Sequence, residues 1–477
     1  MPAQGSAPAP HFTVLDQAPM GARQYAIWLL ASGGTLLDGF SIFSLGVAMP
    51  LLTTRFELSA LMVGVIGAAL VLGAAVGAAF GGAAADRFGR KPLLIIDMAI
   101  LATGAVFSGA AENALAVLFG QFLIGIGIGI DFPVSASYVS ETMPKRERSR
   151  MMVATIALQS VGMLIAAAVA LTLLRLEDQT IDWRFIVGAT GAGAFAFMLG
   201  RMWLPESPRW LLDHGHIGKA ADVVTGLTRI PIEHPSEPPP SSERGMAVLF
   251  SQPYRRRTAL VSLPWFLMDI ATYGVGLFTP VILAALHLGA KPRDPVAADF
   301  TAAQGSAAID LFLLIGFLIG VWAVPRFGRL HMQVAGFFGM TFGMLILLTA
   351  VLSGGGASAH VVPVFAGFIL FNLAMNAGPN ATTFTMAPEL FPTAVRASAS
   401  GFAAAAAKAG ATFGIFVLPQ IKEFAGVAGV LALMAIVSTL GAVITLILAR
   451  GIRDIPEGRG LEEVSQPMVA SPANAGR

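Results

Sequence analysis

The chain has 477 residues, of which 55% are hydrophobic and only 12% charged, with a mean hydropathy of +0.73. A soluble domain carries about 25% charged residues, so this composition excludes an ordinary soluble enzyme and points to a polytopic membrane protein. The net charge of +2 gives no nucleic-acid signal, and the absence of cysteine excludes disulfide and thiol chemistry. Residues 1–24 are Pro/Ala-rich and read as a disordered cytoplasmic segment without a cleavable signal pattern, the first apolar span acting as an uncleaved anchor. Apolar stretches long enough to cross a bilayer then recur near 25–52, 60–85, 92–110, 114–140, 150–173, 183–204, 258–286, 302–325, 331–353, 361–387, 396–420 and 424–450. They divide the chain into an N-terminal six-helix bundle (25–204), a polar cytoplasmic linker (205–257), a C-terminal six-helix bundle (258–451) and a cytoplasmic tail (452–477). The expected fold is an all-α membrane protein with 12 transmembrane helices in two bundles. Within the linker, GHIGKAADVVTGLTRI reads as a short amphipathic helix, and His214 and His216 read as solvated side chains. The seven histidines show no metal-ligand spacing, and neither a metal nor another cofactor is expected.

Basic residues set the orientation. With the N-terminus inside, 23 Lys and Arg lie on the cytoplasmic side, Arg201 being counted with the linker, and 6 lie opposite. Both termini are therefore expected in the cytoplasm, with the chain in the cell membrane. The halves also echo each other. ADRFGRKP (85–92) follows span two and VPRFGRLH (324–331) follows span eight, while PVSASYVSETMPKRERSR (133–150) and PNATTFTMAPELFPTAVR (379–396) end spans four and ten. Such an internal repeat is a transporter device.

Four ionisable residues lie deep in spans: Asp38, Asp131, Asp269 and Lys408. Each is roughly 9 to 14 residues from the nearer helix end, which at 1.5 Å per residue is close to the bilayer centre. Each costs about 2.5–3.5 kcal/mol to insert, and such charges mark a substrate or proton path. Lys408 is the only buried cation in this reading. Pairing it with one aspartate as a structural ion pair leaves two carboxyls that can exchange protons. Asp97, nearer the cytoplasm, is expected to pair with loop arginines. Trp265, Asp269 and Tyr273 share one face of span seven at i, i+4 and i+8, and Asn372, Asn376 and Asn380 repeat that spacing on span ten. The polar stripe serves either as packing glue or as the wall of a cavity.

GGAAADRFGRKP, PESPRW (205–210) and PELFPTAVR (388–396), together with the repeat, resemble the major facilitator superfamily and its sugar-porter-like branch over about residues 25–450. The resemblance implies a functional monomer that works by alternating access. Asp86, Arg87, Arg90 and Arg209, with Glu141/Arg148 and Glu389/Arg396, lie at cytoplasmic helix ends, where ion pairs can latch the halves. Positive charge alone would hold the orientation without any latch.

LLDGFSIFSLGVAMPLL, GIGIGIDFPVSASYVSE, TIALQS, WFLMDIATYG, FNLAMNAGPNATTF and RASASGFAAAAAKAG further resemble the proton-coupled phosphate symporters of plants and fungi. That likeness implies proton coupling by Asp38 and Asp131. It also implies substrate contacts from Phe132, Gln159, Trp265, Asp269, Tyr273, Asn376 or Asn380, and Lys408. Ser41, Gln121 and Phe132 stand where that family has an aspartate, an arginine and a tyrosine. The expected function is proton-coupled symport of a small solute, with phosphate first and an organic acid, sugar or other metabolite second. A non-transporting nutrient sensor has no large signalling domain to support it. A membrane enzyme lacks a nucleotide loop, metal cluster or catalytic triad.

Overall fold

The computed structural model describes residues 10–176, 182–232, 244–275, 295–353 and 361–450. They are helical almost throughout. The N-terminal half holds α1 (Pro10–Gln17), α2 (Ala22–Ala31), α3 (Gly33–Phe56), α4 (Ala60–Phe88), α5 (Arg90–Gly109), α6 (Ala114–Thr142), α7 (Lys145–Leu176) and α8 (Asp182–Arg201). The linker carries α9 (Pro208–Asp213), α10 (Ile217–Thr228) and a 3-10 turn, Met246–Phe250. The C-terminal half holds α11 (Arg255–Val275), α12 (Pro295–Phe327), α13 (Arg329–Leu352), α14 (Val361–Ala377), α15 (Pro379–Glu389) and α16 (Arg396–Ala449).

Among the described residues, nine helices are long and apolar enough to cross a bilayer. The last of them contains two predicted spans, because Gly426 (φ 67, ψ −171) breaks α16. α11 and the Leu311–Phe327 segment of α12 supply spans seven and eight, residues 276–286 of span seven lying outside the described residues. Helix is the form this sequence must take in lipid, since it satisfies every backbone donor and acceptor within one segment. Large apolar side chains such as Leu61, Phe80, Leu115 and Ile447 stay exposed, which suits an acyl-chain surrounding.

The repeat seen in the sequence is a repeat in backbone geometry. Gly89 (φ 104) and Gly328 (φ 84) occupy the same FGR turn, between α4 and α5 and between α12 and α13, at a positive φ that side-chain-bearing residues rarely adopt. Close approach matters once more, where α3 meets α7. A Cβ on Gly39 would stand 1.8 Å from the Gln159 carbonyl oxygen, and one on Gly162 would stand 1.8 Å from that of Leu36. Two glycines facing each other in this way bring Gln159 against Asp38.

Of the segment 1–24 expected to be disordered, the described residues 10–24 depart from that expectation. α1 and the start of α2 are helical, with Leu15 wholly buried. Asp16 accounts for the order: its carboxylate accepts from Arg148 Nη2 (2.5 Å) and Arg209 Nη2 (3.1 Å). Arg23 donates to the Gly226 carbonyl and Gln24 to that of Leu227 (2.8 Å), which ties this segment to α10. The Pro/Ala-rich composition hides one acidic residue that finds two arginines.

Candidate functional site

Of the expected gate residues, Arg90, Arg209 and Arg396 converge on Glu141, in place of the expected Glu141/Arg148 and Glu389/Arg396 pairs. Arg90 grips its carboxylate with Nε (3.1 Å) and Nη2 (2.9 Å), and Arg396 Nη1 adds a third bond at 2.9 Å. Ser207 Oγ donates to the same carboxylate (2.5 Å) and Arg209 Nη1 to the Glu141 carbonyl (2.6 Å). Arg90 and Asp86 come from the N-terminal half and Arg396 from the C-terminal half, so these bonds join the halves. Arg90 Nη2 also reaches the Thr393 carbonyl (3.0 Å). Asp86 accepts from the amides of Ala397 (3.2 Å) and Ser398 (2.7 Å) at the start of α16, a carboxylate on a helix N-terminus. In the C-terminal half, Glu389 pairs with Arg329. Arg148 pairs with Asp16, as described above. Arg87 stands apart from the latch, exposed, with its guanidinium 5.2 Å from the Phe88 ring. Behind the latch, Glu206 accepts from the amides of Arg90 (3.0 Å) and Lys91 (3.2 Å) at the start of α5. Burial holds the Glu206 carboxyl above the usual glutamate range, and the amide bonds only partly offset it.

The deep charges fall into two groups. In the first, Gln159 Nε2 donates to Asp38 Oδ2 at 2.6 Å. Lys408 lies within electrostatic reach of both Asp38 and Asp269. Its Nζ is 3.9 Å from Asp269 Oδ2 and 5.4 Å from the centre of the Phe132 ring. Phe132, from α6, meets Phe384 of α15 edge-on at 6.0 Å. Asp38, Phe132 and Gln159 of one half thus meet Asp269 and Lys408 of the other. Trp265 is buried one turn before Asp269. The Tyr273 side chain lies outside the described residues.

Span ten is broken at Gly378. α14 ends at Ala377, Gly378 leaves helical geometry (φ −113, ψ −103), and α15 restarts at Pro379. Asn376 and Asn380 flank the break, with Asn380 Nδ2 donating to Asn376 Oδ1 (2.9 Å). Asn376 and Asn372 each return their amide to the backbone one turn earlier (2.9 Å). Interrupted helices near the midplane are where transporters of this architecture bind solutes.

The second group contains a residue that the sequence reading assigned to the linker. Arg201, the last residue of α8, is fully buried and directed into the N-terminal half. It donates to both oxygens of Asp97 (2.9 and 3.0 Å), to Asp131 Oδ1 (2.5 Å), and to the carbonyls of Leu30, Ala31 and Leu94 (2.7–2.9 Å). Asp131 is therefore an ion-paired residue, and Lys408 is not the sole buried cation beside the deep carboxyls. Asp97 pairs with this arginine and not with the loop arginines expected for it. Counting Arg201 with the linker, although it closes span six, concealed it. Two carboxylates on adjacent spans with no cation nearby were the signal that called for it. Gln121, at the position where the phosphate symporters have an arginine, donates to Ser108 Oγ (3.1 Å) near the C-terminal end of α5.

A helical membrane protein in two repeated halves, with a charged latch at the helix ends and ionisable groups buried where the halves meet, is a secondary transporter of the major facilitator fold. The chain matches the family described as "Sugar (and other) transporter" over residues 29–452 and belongs to it. It is 31% identical over 445 residues to the "Inorganic phosphate transporter 1-11" of Oryza sativa, covering 84% of this chain and 78% of that one. It is 25% identical over 442 residues to the "Inner membrane metabolite transport protein YgcS" of Escherichia coli, covering 93% and 95%. The structure of the proton:xylose symporter XylE bound to 6-bromo-6-deoxy-D-glucose matches with a TM-score of 0.73 at 20% identity, covering 92% of this chain and 98% of that one. The inward-open conformation of the same protein, from E. coli, matches at 0.63.

Proposed function

We propose that the chain carries out proton-coupled symport of inorganic phosphate across the cell membrane by alternating access. The observation that carries this reading is the placement of Lys408 where the halves meet, between Asp269 and Phe132 and within reach of Asp38. A buried cation supplies charge for an anion. Asp269 beside it does not repel H2PO4⁻ or HPO4²⁻, because both carry a P–OH that a carboxylate can accept. Gln159, half-buried and bonded to Asp38, adds an amide group in the same region. The name of the rice relative supports phosphate as the solute.

Proton coupling is supported by charge balance. Asp97 and Asp131 place two carboxylates on the single guanidinium of Arg201, all of them buried. The group reaches neutrality when the carboxyls hold one proton between them, and uncompensated charge is costly at this depth. The xylose relative is named as a proton symporter. With the basic residues inside, the Glu141 latch closes the cytoplasmic face and leaves loading to the opposite face.

Uptake of labelled phosphate into proteoliposomes tests this reading. An inward proton gradient is expected to drive accumulation, and a protonophore to abolish it. Absence of uptake in either gradient direction removes phosphate. A second reading, symport of an organic acid, sugar or other metabolite, is favoured by Phe132, which offers no hydroxyl, and by the name of the E. coli relative. Competition of candidate metabolites against phosphate counterflow separates the two.

A further inference from the structure

We propose that the N-terminal helix α1 is a clasp on the linker, and that its Asp16 is a positioning residue of the Glu141 latch, acting through α9. The inference rests on the reading of the closed latch as one of the two states of alternating access.

α1 cannot hold itself. At eight residues (Pro10–Gln17) it is shorter than the roughly 12–15 that an isolated helix needs in water, so its order comes from what it docks on. It packs on α7 and α10. Leu15 is the apolar anchor, with none of its surface exposed. Asp16 lies in the last turn, where a carboxylate opposes the helix dipole, so its position serves partners outside the helix. Those partners are Arg148 Nη2 (2.5 Å), in the first turn of α7, and Arg209 Nη2 (3.1 Å), in α9. The Asp16 side chain is 12% exposed and those of Arg148 and Arg209 are 4% and 2% exposed, so water screens these bonds little.

The same segment grips the linker a second time. Arg23 and Gln24, in the first turn of α2, donate to the carbonyls of Gly226 and Leu227. Both carbonyls lie in the last turn of α10, where the helix supplies no amide of its own to meet them. The α9–α10 pair is therefore held at both ends, at Arg209 and at Gly226–Leu227. α9 in turn touches the latch at three points. Ser207, its N-cap, donates to the Glu141 carboxylate (2.5 Å), Arg209 Nη1 to the Glu141 carbonyl (2.6 Å) and Trp210 Nε1 to the Asp86 carbonyl (2.9 Å). A six-residue helix has little stiffness with which to keep three donors on target. α1 adds to it by tying Arg209 to α7. With α1 docked, Ser207 stays on Glu141, and Glu141 stays placed to receive Arg396 from the other half. With α1 released, α9 loses that brace and the latch opens more readily.

Distances between spin-labelled cysteine pairs in the full-length protein test both links, since the chain has no native cysteine. Gln17→Cys with Lys219→Cys, both exposed, reads the seating of α1 on α10. Arg146→Cys with His331→Cys, exposed on α7 and α13, reads the opening of the latch. Asp16→Asn is expected to broaden and lengthen the first distance in at least about half of the molecules, and to raise the open fraction read by the second about 3-fold. Leu15→Ala, which keeps every charge, is expected to act in the same direction on both, and serves alone if Asp16→Asn does not fold. A first distance unchanged in both variants shows that neither residue seats α1. A released α1 with an unchanged open fraction shows a helix that docks without bracing the latch. Either result overturns the proposal. Neither distance needs a transported solute, so an absence of phosphate uptake defeats the proposed function alone, and a latch indifferent to α1 defeats this inference alone.

Discussion

In the N-terminal half, α5, α6 and α8 are joined by charge, with Asp97, Asp131 and Arg201 forming one buried group. In the C-terminal half, α13, α15 and the second segment of α16 are joined by neutral groups. Gln333 donates to Thr445 Oγ1 (2.9 Å) and accepts from Thr382 Oγ1 (2.9 Å). The helices compared are the third, fourth and sixth spans of their halves, and the FGR turn before each third span has the same backbone form. One scaffold has thus been filled twice, once with groups that can exchange a proton and once with groups that cannot. On the proposed reading, proton chemistry belongs to the first half, and the second half, with its interrupted span ten and its Lys408–Asp269 pair, holds the solute.

The largest expected effect is on stability. Arg201→Gln strands two buried carboxyls, and breaking a buried ion pair by removing one partner costs about 3–5 kcal/mol. Gln333→Leu leaves Thr382 and Thr445 still bonded to the carbonyls of Gly378 and Gly441 in their own helices, so about 1 kcal/mol is expected. Thermal unfolding of the purified proteins in one detergent measures both. Equal losses would erase the contrast between the halves.

Transport sharpens the same contrast. Asp131→Asn removes one carboxyl and leaves Asp97 to neutralise Arg201, so the fold is expected to persist while the exchangeable proton is lost. Gradient-driven phosphate uptake should fall at least about 10-fold, with counterflow retained because it needs no net proton movement. Asp269→Asn, in the other half, should instead act mainly through KM. Gradient-driven uptake that survives Asp131→Asn makes the Asp131–Arg201 pair a structural one.

Much of this was legible before the fold. The alternation of apolar spans and polar loops marked the helices, but the break at Gly378 lies inside a run read as one continuous span, 361–387, and did not show. The repeated FGR and Glu/Arg motifs marked latch residues but not their pairing, since Glu141 takes Arg90 and Arg396, Arg148 takes Asp16 and Glu389 takes Arg329. Asp38, Asp269 and Lys408 stood out because a lone charge in a long apolar run has few explanations. Arg201 did not stand out: it lies four residues before PESPRW, and at a helix end sequence alone does not show whether a long side chain reaches out to water or back into the bundle. Asp16 was hidden for the opposite reason, its surroundings having the composition of a disordered tail. The pairing of Asp38 with Gln159 needed the close approach of α3 and α7, which two glycines permit but do not announce.

The latch distinguishes the halves as well. Glu141 receives Arg90 and Arg396 and so spans both halves, whereas Glu389 receives Arg329 from its own half. Glu141→Gln is therefore expected to raise the fraction of molecules open to the cytoplasm severalfold, and Glu389→Gln to raise it less. The chain has no native cysteine, so a pair of spin-labelled cysteines on exposed residues across the latch reports that fraction directly. A larger opening from Glu389→Gln would move the centre of the gate to the C-terminal half.

The smallest effect concerns the cap behind that latch. The first amides of α5 are held by Glu206, and those of α13 receive no such carboxylate among the described residues. Because burial raises the Glu206 carboxyl in the folded state, the native protein binds a proton more readily there than the unfolded chain does. The stability this contributes is present below the ordinary glutamate range and is lost as pH rises through the raised value. Glu206→Gln keeps one acceptor oxygen and has no charge to bury. Its thermal stability relative to wild type should therefore improve from pH 4 towards neutrality, by an amount on the order of 1 kcal/mol or less. A difference that stays flat with pH would mean that the amides of Arg90 and Lys91, together with Arg90 itself, fully offset the burial of this carboxylate. The N-terminal half would then gain from its linker cap at every pH.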